Sequence, residues 1–186
     1  LPSLEDKVEV ITISRQEALS SNQRITFENE FVKGSISLDG GIIDDLELKT
    51  YNKILDSKNK IQLLNPASTN EGYTFNTGWA TKSDIRTPKS DTEWKVDGSR
   101  TLTPNNPVKL FYVNDENIRF EREISIDNKY LFNIKQTVIN KSDISFKLYP
   151  YATINRNNLP SDLTDFYILH EGYTLISGDS LEEVDY

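Results

Sequence analysis

The 186-residue sequence has no cysteine, no methionine and a single histidine. Without cysteine there is no disulfide scaffold, no zinc-finger site and no thiol nucleophile, a composition compatible with an oxidising compartment. Long apolar runs are also missing: no stretch approaches the roughly 18 to 20 residues that span a bilayer. No signal-peptide pattern is present, and a chain that starts at Leu1 reads as an excised or processed fragment. Basic charge is in deficit, with 21 Lys and Arg against 29 Asp and Glu, a net charge of -8. Phosphate backbones are bound by clustered Lys and Arg, so the balance argues against nucleic acid. It argues equally against a broad contact with anionic lipid, and the acidity reads as a device for solubility. Phosphate loops, nucleophile elbows and metal-ligand clusters are absent, as are internal repeats.

What is there is ordinary for a globular domain. Apolar residues make up 36% and charged residues 27%, and the mean hydropathy is -0.56. A chain this long buries roughly 70% of the surface its unfolded form exposes, so one domain folds without metal or disulfide. Ser14-Arg15-Gln16-Glu17 fits a capping box and predicts a short helix over about Arg15 to Leu19, ended by Ser20-Ser21-Asn22. Residues 1–22 are therefore expected to form a linker with a short helix, and residues 23–186 the main domain.

From Arg24 the periodicity is that of strands. Val32, Gly34, Ile36 and Leu38 alternate with Lys33, Ser35 and Ser37. Asp39-Gly40-Gly41 supplies a turn, since glycine reaches positive φ freely. Leu46 and Leu48 then alternate with Asp45, Glu47 and Lys49, which predicts a hairpin with one wet face. A short strand is expected at Tyr73–Trp79, followed by a loop over Thr81–Glu93. Further on, Ile118, Phe120, Ile124 and Ile126 share a face; so do Tyr130, Phe132, Ile134 and Val138, and then Ile144, Phe146, Leu148, Ala152 and Ile154. These predict a three-stranded meander. Matching the faces favours a three-residue loop, Asp127-Asn128-Lys129, pairing Ile126 with Tyr130 and Ile118 with Val138, and placing Glu121 opposite Lys135. Lys141-Ser142-Asp143 is the next expected loop. Short strands with almost no helical periodicity point to an antiparallel sandwich or barrel.

Candidate chemistry is sparse. His170 beside Glu171 invites an acid–base reading, but neighbours in a strand point to opposite faces, so a structural histidine is expected unless Glu171-Gly172 is a turn. Glu121 and Glu123 share a strand face, as glycosidase carboxylates can, yet Arg119 and Lys135 make a charge-paired face the simpler reading. Arg122 falls between Phe120 and Ile124 on the apolar face, where a cation needs a partner or an escape route. Asp39, Asp44 and Asp45 lack the spacing of a calcium loop, and Asn140-Lys141-Ser142 is a formal glycosylation sequon read as coincidental. Tyr149, Tyr151, Thr153 and Asn155 project from one face, with Arg156 following. Tyrosine and arginine are favoured at interfaces, so Tyr149, Tyr151, Asn155 and Arg156 are the candidate partner-binding residues.

The run Phe31-Val32-Lys33-Gly34-Ser35-Ile36-Ser37-Leu38-Asp39-Gly40-Gly41-Ile42-Ile43-Asp44-Asp45-Leu46 resembles the opening of the periplasmic domain of YidC-type membrane protein insertases of Gram-negative bacteria. Leu63-Leu64-Asn65-Pro66, Phe75 with Gly78-Trp79, Pro107-Val108-Lys109-Leu110, Phe120-Glu121-Arg122 and Asp127 with Tyr130 resemble later family motifs, in order. Pro150-Tyr151-Ala152 and Leu169-His170-Glu171-Gly172 resemble its closing block. The resemblance implies an all-β, antiparallel β-supersandwich of the galactose-mutarotase-like class, the C-terminal part of the family domain being absent. It also implies a position between the first two transmembrane helices of an inner-membrane protein and a non-catalytic scaffold or docking role, with no cofactor. The implied partners are SecD and SecF, other Sec translocon components and nascent inner-membrane proteins, with the contact placed in about Asn140–Val184. The fold class alone suggests a second reading, a carbohydrate-binding or mutarotase-like protein, for which Trp79 and Trp94 are candidate sugar platforms.

Overall fold

The computed structural model describes residues 12–160, 163 and 170–185. One helix, α1 (Arg15–Ser20), precedes thirteen strands: β1 (Arg24–Glu28), β2 (Val32–Ser37), β3 (Ile43–Asn52), β4 (Lys60–Leu64), β5 (Tyr73–Ala80), β6 (Lys95–Asp97), β7 (Thr101–Leu102), β8 (Val108–Val113), β9 (Ile118–Ile126), β10 (Phe132–Asn140), β11 (Tyr149–Arg156), β12 (Gly172–Ser177) and β13 (Ser180–Asp185). The capping box forms as expected: Glu17 N donates to Ser14 Oγ at 3.2 Å, and Ser14 N donates to Glu17 Oε2 at 3.1 Å. Among the described residues no helix is long and apolar enough to cross a membrane.

The protein is an all-β sandwich of antiparallel sheets. A seven-stranded sheet has the order β11-β5-β3-β2-β1-β7, with β4 also paired to β3; a four-stranded sheet has the order β10-β9-β8-β6; β12 and β13 form a separate hairpin. The single parallel pairing joins β1 to the two-residue β7. Between the two large sheets lies the core, built from alternate residues of facing strands: Ile25, Phe27, Val32, Ile36 and Trp79 on one side, Leu110, Ile118, Phe120 and Ile124 on the other. Phe132, at the start of β10, packs edge-on against Phe27 of β1, and Gln136 Nε2 donates to Gly78 O of β5 at 3.1 Å, so β10 lies over the larger sheet from β1 to β5.

Three expectations need correction. The β9–β10 hairpin keeps the expected faces but slips by two residues. Phe132 pairs with Ile126 and Val138 with Phe120, so Lys135 lies opposite Glu123 and Glu121 opposite Thr137. The loop is five residues long because Asp127 organises it: its side chain accepts from Lys129 N at 2.8 Å and Leu131 N at 2.9 Å. A shift of two preserves which side chains point inward, so face matching cannot detect it. The expected third strand of the meander does not follow β10. Residues 144–148 are not strand, and β11 pairs with β5 in the other sheet. Finally, the β2–β3 hairpin has no wet face over its first half, where Ser35, Ser37, Asp44 and Asp45 are buried.

The buried polar face has a specific cause. The β2–β3 register shifts between Ser35 and Ile36, and this bulge lets the neighbours Asp44 and Asp45 serve one side of the sheet. Arg24 pairs with Asp44, and Arg15, carried by α1, pairs with Asp45. Ser35 Oγ donates to Asp45 Oδ2 at 2.6 Å, Arg24 Nε donates to Ser35 Oγ at 2.7 Å, and Arg15 Nε donates to Asn65 Oδ1 at 3.1 Å. Two cations and two anions are thus satisfied beneath the helix. Burial raises the Asp44 carboxyl above its usual range, with Arg24 opposing it.

Candidate interaction surface

Among the described residues the one cation deep in the core is Arg122, 2% exposed. It sits on β9 but serves the opposite sheet. Its Nη1 donates to Gly40 O and Gly41 O, both at 2.9 Å, and its Nη2 donates to Thr77 O. The guanidinium lies 4.3 Å from the Trp94 ring centroid, and Trp94 in turn stacks on Trp79. Gly40 and Gly41 have φ of 72° and 64°, which turns their carbonyls to the arginine. A Cβ on Gly41 would also stand only 2.5 Å from Nη1. Burial lowers the Arg122 pKa to about 10, so the group stays charged at neutral pH. No carboxylate among the described residues pairs with it. Arg122 is therefore a structural pin between sheets. Trp79 and Trp94, the candidate sugar platforms, are both core residues.

The candidate carboxylates are tied up as a charged strand face. Arg119 Nε meets Glu121 Oε1 at 2.6 Å, and Lys109 Nζ stands 4.0 Å from Glu123 Oε2. His170 and Glu171 precede β12 rather than lying in a strand. The alternation argument against their cooperating therefore does not apply, and both line an open cavity of about 780 Å³ with Lys53, Lys60, Asn65 and Arg156. The imidazole is nonetheless engaged: Nδ1 lies 3.3 Å from Asp185 Oδ1 and Nε2 lies 3.3 Å from Tyr173 O. Leu169, quoted with this motif, lies outside the described residues. Among the described residues no cluster of three or more acidic, histidine or cysteine side chains could hold a metal.

β11 carries the candidate partner-binding residues. It pairs through its whole length with β5 and, among the described residues, forms the edge of the larger sheet. Tyr149 and Tyr151 are 51% and 40% exposed. Alternation puts Tyr149, Tyr151 and Asn155 on the outer face. Asn155 Nδ2 reaches Thr153 Oγ1 at 3.4 Å, and the Tyr151 ring lies over Gly78, where any Cβ would collide with it. Arg156 is on the inner face with its cross-strand neighbour Tyr73, 5.0 Å from that ring centroid. The strand thus gathers three of the four residues on one surface and Arg156 on the other.

Sequence reasoning missed a cleft. The larger sheet extends past β10, and its inner face there, with Leu46, Leu64, Phe75 and Ala152, meets Phe132 and Ile134 of β10 in an apolar cleft of about 510 Å³ among the described residues. The signal was faint. It required knowing that β11 joins β5, which no local pattern encodes. The fold and this open flank define an antiparallel β-sandwich with a tyrosine-bearing sheet edge beside an apolar cleft.

A family model described as the YidC periplasmic domain matches residues 24–186. Over 186 residues the chain is 46% identical to the membrane protein insertase YidC of Pelagibacter ubique, covering 100% of this chain and 33% of that protein. It is 42% identical over 159 residues to the protein of the same name from a Ruegeria species, covering 83% of this chain and 26% of the relative. With that of Brucella suis it shares 37% over 178 residues, covering 94% and 29%. The chain belongs to the YidC periplasmic domain family, and so is a periplasmic domain of an inner-membrane protein insertase. It spans about a third of the length of these relatives.

Proposed function

We infer that residues 23–186 act as a non-catalytic docking domain of the insertase, preceded by a linker, residues 1–22, that carries a short helix. In this reading the domain contacts the Sec accessory proteins SecD and SecF, or nascent inner-membrane proteins, through its second half. The observation that carries it is the strand β11, whose Tyr149 and Tyr151 stand exposed on its outer face. Aromatic side chains of this kind supply large contact area at low entropic cost and concentrate binding energy. Glu121, Glu123 and His170 stand in ion-pair contacts with Arg119, Lys109 and Asp185.

The test is co-purification of the full-length insertase with SecF after Tyr149→Ala, Tyr151→Ala and Arg156→Ala. The expected result is loss of SecF without loss of thermal stability; unchanged recovery removes this patch from the reading. A second reading rests on edge geometry. Among the described residues β11 pairs only with β5, and β10 only with β9, so either edge could accept an extended peptide by strand addition. A backbone N-methylated peptide competes for that mode poorly, which separates it from side-chain docking. The carbohydrate reading, tested by glycan screening, has lost its tryptophan platform to the core.

A further inference from the structure

The β3–β4 hairpin is unlike the rest of the molecule. Burial fades along β3 from Ile43 to the exposed end at Asn52, so the hairpin projects from the body. At its tip Ile54 is 69% and Leu55 89% exposed, and Tyr51 just below is exposed as well. The tip is an ordered turn. Lys53 N donates to Asn59 O at 2.8 Å, Ser57 N donates to Ile54 O at 3.0 Å, and Asp56 closes the reversal with φ of 64°. Two branched aliphatic side chains are thereby held outward in adjacent positions, where folding gains nothing from them.

Charge sets this tip apart too. Three lysines, Lys53, Lys58 and Lys60, stand against one aspartate, Asp56, in a chain whose net charge is -8. None of the three takes part in an ion pair among the described residues. Lys60 Nζ donates to the neutral Asn52 Oδ1 at 2.8 Å. Leu159, 65% exposed, lines the same cavity wall as Ile54 and Lys53 and widens the apolar rim. Apolar residues at a projecting tip, with an aromatic below and lysines around, form the pattern by which peripheral segments enter a lipid headgroup layer. The aliphatics enter, the lysine stems snorkel, and the ammonium groups meet anionic phosphates.

We propose that the tip of the β3–β4 hairpin, through Ile54, Leu55, Lys53 and Lys58, docks into the surface of an anionic phospholipid bilayer and fixes the orientation of this domain over it. The overall negative charge opposes a broad contact with such a surface, so the contact is confined to this tip. Charge complementarity selects lipid as the occupant.

The purified 186-residue chain is sedimented with vesicles of phosphatidylethanolamine and phosphatidylglycerol, and with vesicles of phosphatidylcholine alone. Binding is expected only to the anionic vesicles and is expected to be lost near 1 M salt, where the Debye length falls to about 3 Å. Lys53→Gln with Lys58→Gln should weaken it roughly 30-fold, about five-fold per lysine. Ile54→Ser with Leu55→Ser should weaken it about ten-fold or more, while Lys135→Gln, a control on the exposed face of β10, should leave it unchanged. All four tip positions are exposed, so circular dichroism and melting should not distinguish the variants from the parent. Leu55→Trp adds an emission that shifts to the blue on binding. No sedimentation at about 1 mM lipid, equal binding to phosphatidylcholine, or binding undiminished by the Ile54/Leu55 pair each overturns the proposal. The first would leave the tip to an acidic protein partner.

Discussion

Replacing Arg122 with methionine is the sharpest test of how the two sheets are held. Methionine matches the aliphatic stem of the side chain and ends about where Nε lies, so the change removes the guanidinium and keeps the apolar packing of the stem. Two opposing effects set the outcome. Burial lowers the arginine pKa to about 10, which at about 1.4 kcal/mol per unit means that keeping the charge in the core costs about 3 kcal/mol. Methionine relieves that cost. It also strips the donors from Gly40 O, Gly41 O and Thr77 O. A buried acceptor left without a donor costs about 1–3 kcal/mol, so three cost about 6. The net expectation is a loss of about 3 kcal/mol, read in urea as a lower midpoint at unchanged m, and as a melting temperature lower by roughly 9 °C. The pH dependence is a second check. A cation with a depressed folded pKa bears its burial cost fully below that pKa and sheds it only as pH rises past it. The gap between parent and variant should therefore stay constant between about pH 5 and pH 9. A loss below about 1 kcal/mol, or a gain, would refute the pin and show that the carbonyls are satisfied without Arg122.

Other expectations follow from the same contacts. Gly34→Ala would drive a Cβ into Asp45 O and the Phe27 ring; the expected cost is about 3 kcal/mol of unfolding free energy in urea. Arg24→Ala would strand the buried Asp44 carboxylate, costing about 3–5 kcal/mol at pH 7. Burial already raises that carboxyl, and without Arg24 it rises further. A raised carboxyl contributes stability at low pH that is lost as pH climbs through its folded pKa, so the deficit should shrink in melts taken near pH 4. Ser14→Ala removes the hydroxyl that accepts from Glu17 N, while the backbone N–H of position 14 can still donate to Glu17; it should cost about 1 kcal/mol, seen as faster amide exchange in α1. Tyr149→Ala should leave the melting temperature within about 2 °C, since an exposed edge residue adds little to folding.

Local pattern was enough wherever the relevant physics was local. The alternation of Ile118, Phe120, Ile124 and Ile126 fixed which side of β9 faces the core, and Ser14 with Glu17 fixed the start of α1. The pairing of strands was less legible. Face parity is blind to a two-residue slip, and the slip at β9–β10 depended on Asp127 caching two backbone amides. Nothing in residues 144–156 announces that the chain leaves the small sheet and crosses to β5, because the same alternation suits either neighbour. The bulge at Ser35–Ile36 hid the polar network as well. Asp44 and Asp45 read as one inward and one outward residue until an extra residue puts both to work on the same side. Of the candidate surface, the tyrosines could be named from sequence. The cleft could not, since it exists only where one sheet overhangs another.

The larger sheet is held from both sides. A β-sandwich is ordinarily held by continuous apolar contact between its sheets, and directed bonds add to that grip. Here Arg122 ties β9 to the β2–β3 turn and to β5 by directed bonds, and the Trp79–Trp94 stack fills the space around it. On the far side of the large sheet, α1 clamps β3 through Arg15 and Asp45. Both faces of β3 and the turn before it are thereby fixed. The cleft and the tyrosine edge then present a rigid surface. A rigid surface loses less entropy on binding than one that must first be ordered. On this argument Arg122 acts at a distance from any docking surface, so Arg122→Met should weaken an interaction at β11 only by softening the sheet that carries it. Amide exchange separates the cases: protection should fall across β5 and β11 together, and a loss of binding with protection intact would mean that Arg122 itself is touched by the partner.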